Sequence, residues 1–156
     1  MSTYLTEIAR QKKQQWLNYQ KEHHHERENW TQKVKAFYSQ IKLWLMPLEQ
    51  EGLLRYQEET LPENPIYFGN GITEQFDLTI EFFNGATIKL KSVGLDIVGA
   101  YGRIDMQLGL RKLMLILKEK EGEWVFTERY SLEKTPTYDF NQAAFEQIVT
   151  DFIESF

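Results

Sequence analysis

The chain has 156 residues, with 18 Lys+Arg against 23 Asp+Glu, for a formal charge of −5. At roughly 150 residues per domain this is about one domain, long enough to bury a core, and 42% hydrophobic with 26% charged residues sets it apart from disordered chains. With no cysteine it builds no disulfide, thiolate zinc site or thiol nucleophile.

No apolar run approaches the ~20 residues of a membrane helix. The start, MSTYLTEIARQKKQQ, lacks the apolar core of a signal peptide. A cytoplasmic location without membrane partners is the expectation. The acidity is unevenly placed: residues 1–52 carry eight basic and six acidic side chains, net +2, and residues 53–156 carry net −7. An acidic body of this kind disfavours nucleic acid and suits a basic partner. Aromatic residues make up 14% of the chain, more than an ordinary core demands, so some are candidates for a binding surface.

Residues 1–46 contain neither Gly nor Pro, which favours helix. Ser2 or Thr3 is placed to cap it. Trp30, Val34, Phe37, Ile41, Trp44 and Leu48 recur at steps of four and three, an apolar seam on one helix face. The earlier half is thinner, with Leu5, Ile8, Ala9, Trp16 and Tyr19 in a polar background. Two arrangements fit: a helical hairpin broken near residues 23–29, where Asn29 and Gln32 read as a capping box, or one helix of about 45 residues projecting as an arm. The polar middle tilts the expectation toward the break. Pro47 and Gly52 mark the end of the helical region.

After Gly52 the pattern turns to strands. Residues 53–61 read as a first strand and 62–71 as a turn-rich loop. Phe76, Leu78, Ile80 and Phe82 alternate with polar residues as a half-buried strand does. Asn84-Gly85 is a hairpin signal, and the alternation returns through Ile88 and Leu90. Residues 95–108 read as one strand segment interrupted at Gly99 and Gly102. Residues 113–117 form a continuous apolar run, hence an interior strand, which Glu121-Gly122 turns into a strand over 124–130. Residues 141–156 carry Phe145, Ile148, Val149 and Phe152 on one helical face, capped by Asp139 or Asn141. The expected fold is α+β: an N-terminal helical hairpin or long helix over 1–52, then over 53–156 an antiparallel meander of five to six strands and a C-terminal helix packed on the sheet, together a single domain.

Most familiar chemistries find no support. His23, His24 and His25 are the only histidines. Helical neighbours point ~100° apart, so the run cannot close on one metal ion. None of the five serines sits in a G-x-S-x-G elbow, and Gly94 with Gly99 is followed by Ala100-Tyr101 where a phosphate loop needs Lys-Ser/Thr. A nuclease-like Asp96 or Asp105 lacks an E-x-K strand, since Lys118-Glu119-Lys120 has the wrong register. No catalytic residue, metal ligand or cofactor is therefore assigned.

Three surfaces remain. Gly94, Gly99 and Gly102 point to a bulge, a bend or a close backbone approach. After Gly102, Arg103 and Asp105 share one strand face, with Tyr101 at the same parity, as an ion pair or a small-ligand or enzyme site. Arg10, Lys12, Lys13, Lys21 and Arg27 with Trp16 and Tyr19 fit a nucleic-acid accessory, although interspersed glutamates dilute them. Trp16 and Tyr19 also fit a protein interface or homo-oligomerisation through the N-terminal helix. The leading expectation is a non-enzymatic protein-binding module of the toxin-neutralising or accessory-subunit kind.

Overall fold

A computed structural model describes residues 3–61, 75–97, 100–128 and 136–156, apart from the side chains of Gln20, His23 and residues 94–100. The element order is α1 (Thr3–Trp44), α2 (Met46–Gln50), β1 (Leu54–Leu61), β2 (Gln75–Phe82), β3 (Thr87–Ile97), β4 (Ala100–Leu108), β5 (Arg111–Leu117), β6 (Trp124–Glu128), β7 (Tyr138–Asp139) and α3 (Gln142–Glu154). No helix among the described residues is long and apolar enough to cross a membrane.

The N-terminal region is one helix of 42 residues rather than a broken pair. The polar middle consists largely of Gln, Lys, Glu and Arg, strong helix formers that need no core. Side-chain pairs one turn apart support it, with Gln14 Nε2 donating to Asn18 Oδ1 at 3.0 Å and His24 Nε2 3.0 Å from Glu28 Oε1. Asn29 stays inside the helix, because a capping sequence does not interrupt a run that lacks Gly and Pro. Pro47 lies in the first turn of α2, where its missing N–H is harmless. Gly52, at φ +70°, then reverses the chain into β1.

The strands form one seven-stranded sheet in sequence order, every neighbouring pair antiparallel. The sequence pattern implies five to six strands, and the sheet has seven. Residues 95–108 divide into the end of β3 and the whole of β4, since Ile97 pairs with Ala100 across a reversal. β7 has only two residues, too few to show a period, and pairs Tyr138 with Phe126. The strand expected over 124–130 is seen to Glu128, and its last two residues lie outside the described ones, as does the loop expected over 62–71. The Asn84-Gly85 hairpin forms as expected: Gly85 has φ +86°, and Phe82 N donates to Ala86 O at 2.8 Å. The bulge signalled by glycine falls in β3, between Ser92 and Gly94. There the buried Ser92 Oγ accepts from Phe76 N at 2.8 Å.

One face of the sheet is apolar and buried. Leu78 and Ile80 of β2, Ile88 and Leu90 of β3, Ile104 and Met106 of β4, and Leu113, Leu115 and Leu117 of β5 point to it. They join Trp30, Val34, Phe37, Ile41 and Leu45 of α1 and Phe145, Ile148 and Val149 of α3 in one core. The expected seam on residues 30–48 and the expected face of the C-terminal helix thus cover the same side. Asn141 caps α3, its Oδ1 accepting from Ala144 N at 2.9 Å. Aromatic rings tie the layers together: Phe37 lies 4.6 Å from Trp124 and 5.4 Å from Phe140, and Trp44 lies 5.6 Å from Phe145. Such pairs add about 0.5–1.5 kcal/mol each beyond their buried area. The opposite face carries polar side chains over β1 to β4, exposed or half-buried among the described residues, and it and the N-terminal half of α1 are the two places where function can reside.

Candidate functional site

The first place is the free half of α1. No described residue of α1 before Trp30 is buried. Residues 3–29 therefore run beyond the core as an arm, about 40 Å long at 1.5 Å per residue. Helical geometry puts Leu5, Ile8, Trp16 and Tyr19 within ~40° of the direction of Trp30, so the core-facing stripe continues past Trp30, and of its described residues Leu5, Ile8 and Trp16 are exposed. Trp16 is 55% and Leu5 66% exposed, and Ile8 is exposed with them, whereas Tyr19 is half-buried. An isolated helix of this length is only marginally stable in water. This one is held at its C-terminal end by the core and has Leu5, Ile8 and Trp16 exposed on its apolar side. Arg10, Lys12, Lys13 and Lys21 stand against Glu7 alone over residues 3–21, a local charge of +3 on a chain of −5.

The second place is the uncovered sheet face. Arg103 and Asp105 lie on it, two apart on β4, while Ile104 and Met106 between and beyond them are buried on the other side. The two charges meet: Arg103 Nε is 2.9 Å from Asp105 Oδ1, and Arg103 Nη2 donates to Asp105 Oδ2 at 3.3 Å. Their side chains are 24% and 27% exposed. At that depth the fork holds β4 in shape and leaves Arg103 little freedom to seize an anion. Tyr101 has the same parity, but its ring stands edge-on to Trp30 at 6.2 Å and packs against the core. The cause lies in the next residue: Gly102 has no side chain, and Trp30 fills that space.

The five candidate residues are thus not one constellation. Trp16 and Tyr19 sit on the arm, more than three helical turns before the Trp30 that touches Tyr101. Of the histidine run, His24 is spent on Glu28 at the surface, and among the described residues no three His, Asp or Glu side chains converge as a metal site would require. The acidic pair Glu58 and Glu59 lies on the edge strand β1. Glu58 is held by Lys42 of α1 at 2.5 Å, and Glu59 stands directly across from Asp77.

The residues that pattern reading passed over are Lys89, Lys91 and Lys112. Their alternation with Ile88, Leu90 and Leu113 was visible, but only strand register brings them together. Lys89 pairs across to Gln107, Gln107 to Lys112, and Lys91 to Asp105. Together with the backbone of β4 and β5 these side chains line a depression of about 220 Å³.

Comparison with protein-family models, with curated proteins and with solved structures finds no match to this chain.

Proposed function

We propose that this chain is a non-enzymatic protein-binding module, of the kind that neutralises a toxin or serves as an accessory subunit, and that it engages its partner through the arm of α1. One observation carries this reading: an arm about 40 Å long, anchored in the core at Trp30, presents Leu5, Ile8 and Trp16 exposed on the face that is buried from Trp30 to Leu45. Trp at the middle of an apolar stripe is the residue type that most often anchors an interface, and an i, i+3, i+4 stripe is read by another helix or a groove.

Charge selects among partners. The acidic body suits a basic protein, but the arm carries +3 over residues 3–21. Two arms laid side by side along that stretch would bring like charge against like, which costs binding free energy. The surface that complements the arm is an acidic one with its own apolar stripe. A nucleic acid would satisfy the charges but leave Leu5 and Ile8 in water.

Photo-crosslinking from a benzophenone amino acid at position 8 of the full chain, in its own cells, tests this. The expected product is an adduct with another protein whose crosslinked segment is acidic and amphipathic, lost when Trp16→Glu is added. Adducts only between two copies of this chain would reassign the arm to self-association. Adducts that yield to nuclease would reassign it to nucleic acid. Either result, or none at all, overturns the reading.

A further inference from the structure

We propose that the uncovered face of the sheet holds a second, independent site, a cationic depression on β3, β4 and β5 that binds a compact multivalent oxyanion of the pyrophosphate class. Lys89, Lys91 and Lys112 line it together with Gln107 and Asp105. All three ammonium groups are exposed, and none makes an ion pair or hydrogen bond among the described residues.

Register sets the spacing. Lys89 and Lys112 flank Gln107 on adjacent strands, so their Cα atoms are about 10 Å apart at ~4.8 Å per strand. Lys91 is two residues along from Lys89, about 7 Å away. Three like charges within roughly one Debye length repel each other, and an anion seated among them relieves that repulsion while gaining charge-assisted hydrogen bonds.

Within the lining itself, local charge compensation leaves these three as the net charge. Arg103 neutralises Asp105, the one carboxylate in the lining. Arg55 and Glu81, farther along the same face, neutralise each other at 2.7 Å. Gln107 Nε2 is engaged with Gly109 O at 3.1 Å, so the lysines supply the donors. Lys91 has Asp77 and Asp105 as its cross-strand neighbours, yet its ammonium pairs with neither. A volume of about 220 Å³ is smaller than the ~300–1,000 Å³ of a drug-sized pocket. The ligand is therefore small and takes its affinity from charge. Pyrophosphate spreads its anionic oxygens over two phosphoryl groups and so can meet lysines on neighbouring strands, whereas a single phosphate reaches fewer of them.

Calorimetric titration of the full chain at low salt with pyrophosphate, and separately with phosphate and sulfate, is the test. Saturable binding of pyrophosphate, tighter than either single anion, is expected. Lys89→Gln, Lys91→Gln and Lys112→Gln should each weaken it by about tenfold, the size of one charge-assisted contact. Arg55→Gln, on the same face but outside the depression, should leave it unchanged. All four side chains are on the surface, so circular dichroism should show the same fold for every variant. The site is overturned by absence of saturable binding, by binding indifferent to the three lysines, or by an equal loss with Arg55→Gln, which would mean only a general charge effect. Because Trp16 and Leu5 take no part, Trp16→Glu should bind pyrophosphate as the parent chain does.

Discussion

The indole of Trp30 lies on the backbone of Gly102. A β-carbon placed there would stand 2.2 Å from Trp30 Cζ3, far inside any tolerable contact. The contact fixes where α1 leaves the sheet, and thus where the core ends and the arm begins.

Gly102→Ala should for that reason be costly although it adds a single methyl group. Trp30 is fully buried, so it cannot swing aside without disturbing Tyr101 and Trp124, its ring neighbours. Overpacking of this kind costs roughly 1–3 kcal/mol or more. Urea unfolding should show a lower midpoint with the slope unchanged. A midpoint equal to the parent's would mean that the indole has room to move.

The two halves of α1 should respond differently to substitution. Trp16→Ala removes a large side chain that touches no core, and should change stability by no more than about 0.5 kcal/mol. Phe37→Ala, one seam position among the buried aromatics, should cost about 3–5 kcal/mol. Thermal unfolding of both variants checks the contrast. A large loss from Trp16→Ala would place the arm within the cooperative unit.

Arg103 and Asp105 should behave as a coupled pair. Arg103→Ala leaves a half-buried carboxylate without its guanidinium, while Arg103→Ala with Asp105→Ala removes both charges. The double variant should therefore be no less stable than the single one, since an uncompensated charge costs more than an absent pair. If the double loss equals the sum of the two single losses, the residues do not interact.

Alkaline pH should unfold the protein through two tyrosines. Burial, reinforced by Asp77 and Glu58, pushes the Tyr38 phenol far above its ordinary range, and its hydroxyl donates to Phe76 O at 2.6 Å. Burial and Glu49 push Tyr56 up to about 12. Both folded-state values are raised, so the folded state keeps protons that the unfolded chain releases above pH ~10. Their stabilising contribution is complete below about pH 10 and is lost above it, Tyr56 ceasing to contribute near its folded value and Tyr38 continuing beyond. The decline should approach about 1.4 kcal/mol per pH unit for Tyr38 and less for Tyr56, which is more open to solvent. Denaturant unfolding across the alkaline range should show Tyr38→Phe with the shallower decline. An unchanged slope would mean that Tyr38 titrates alike in both states.

Much of this fold was legible in the residues. Period-two alternation at Phe76 to Phe82 and Ile88 to Leu90 set which strand faces are buried, because a strand has only two sides. The seam at Trp30, Val34, Phe37, Ile41 and Trp44 set the buried face of α1, and the start of α3 was narrowed to Asp139 or Asn141, of which Asn141 is the cap. The unbroken path of α1 was not legible at Asn29 and Gln32: capping signatures compete with continued helix, and the core beyond Trp30 anchors the continuous form. β7 was hidden by its length. The reversal between Ile97 and Ala100 was hidden because apolar and small residues continue through it.

The sequence alone determined the class of elements, the apolar faces, the split of charge between arm and body, and the absence of thiol chemistry, since each depends on composition or on local periodicity. Tertiary structure decided what no local rule reaches. It separated Trp16 and Tyr19 from Tyr101, turned Tyr101 to Trp30 through the bare backbone of Gly102, and closed Arg103 on Asp105. It also gathered Lys89, Lys91 and Lys112 from separate strands into one depression. The reason is register: which residues stand across from each other in an antiparallel sheet follows from turn lengths and the β3 bulge, and those are set only when the whole meander folds onto its helices.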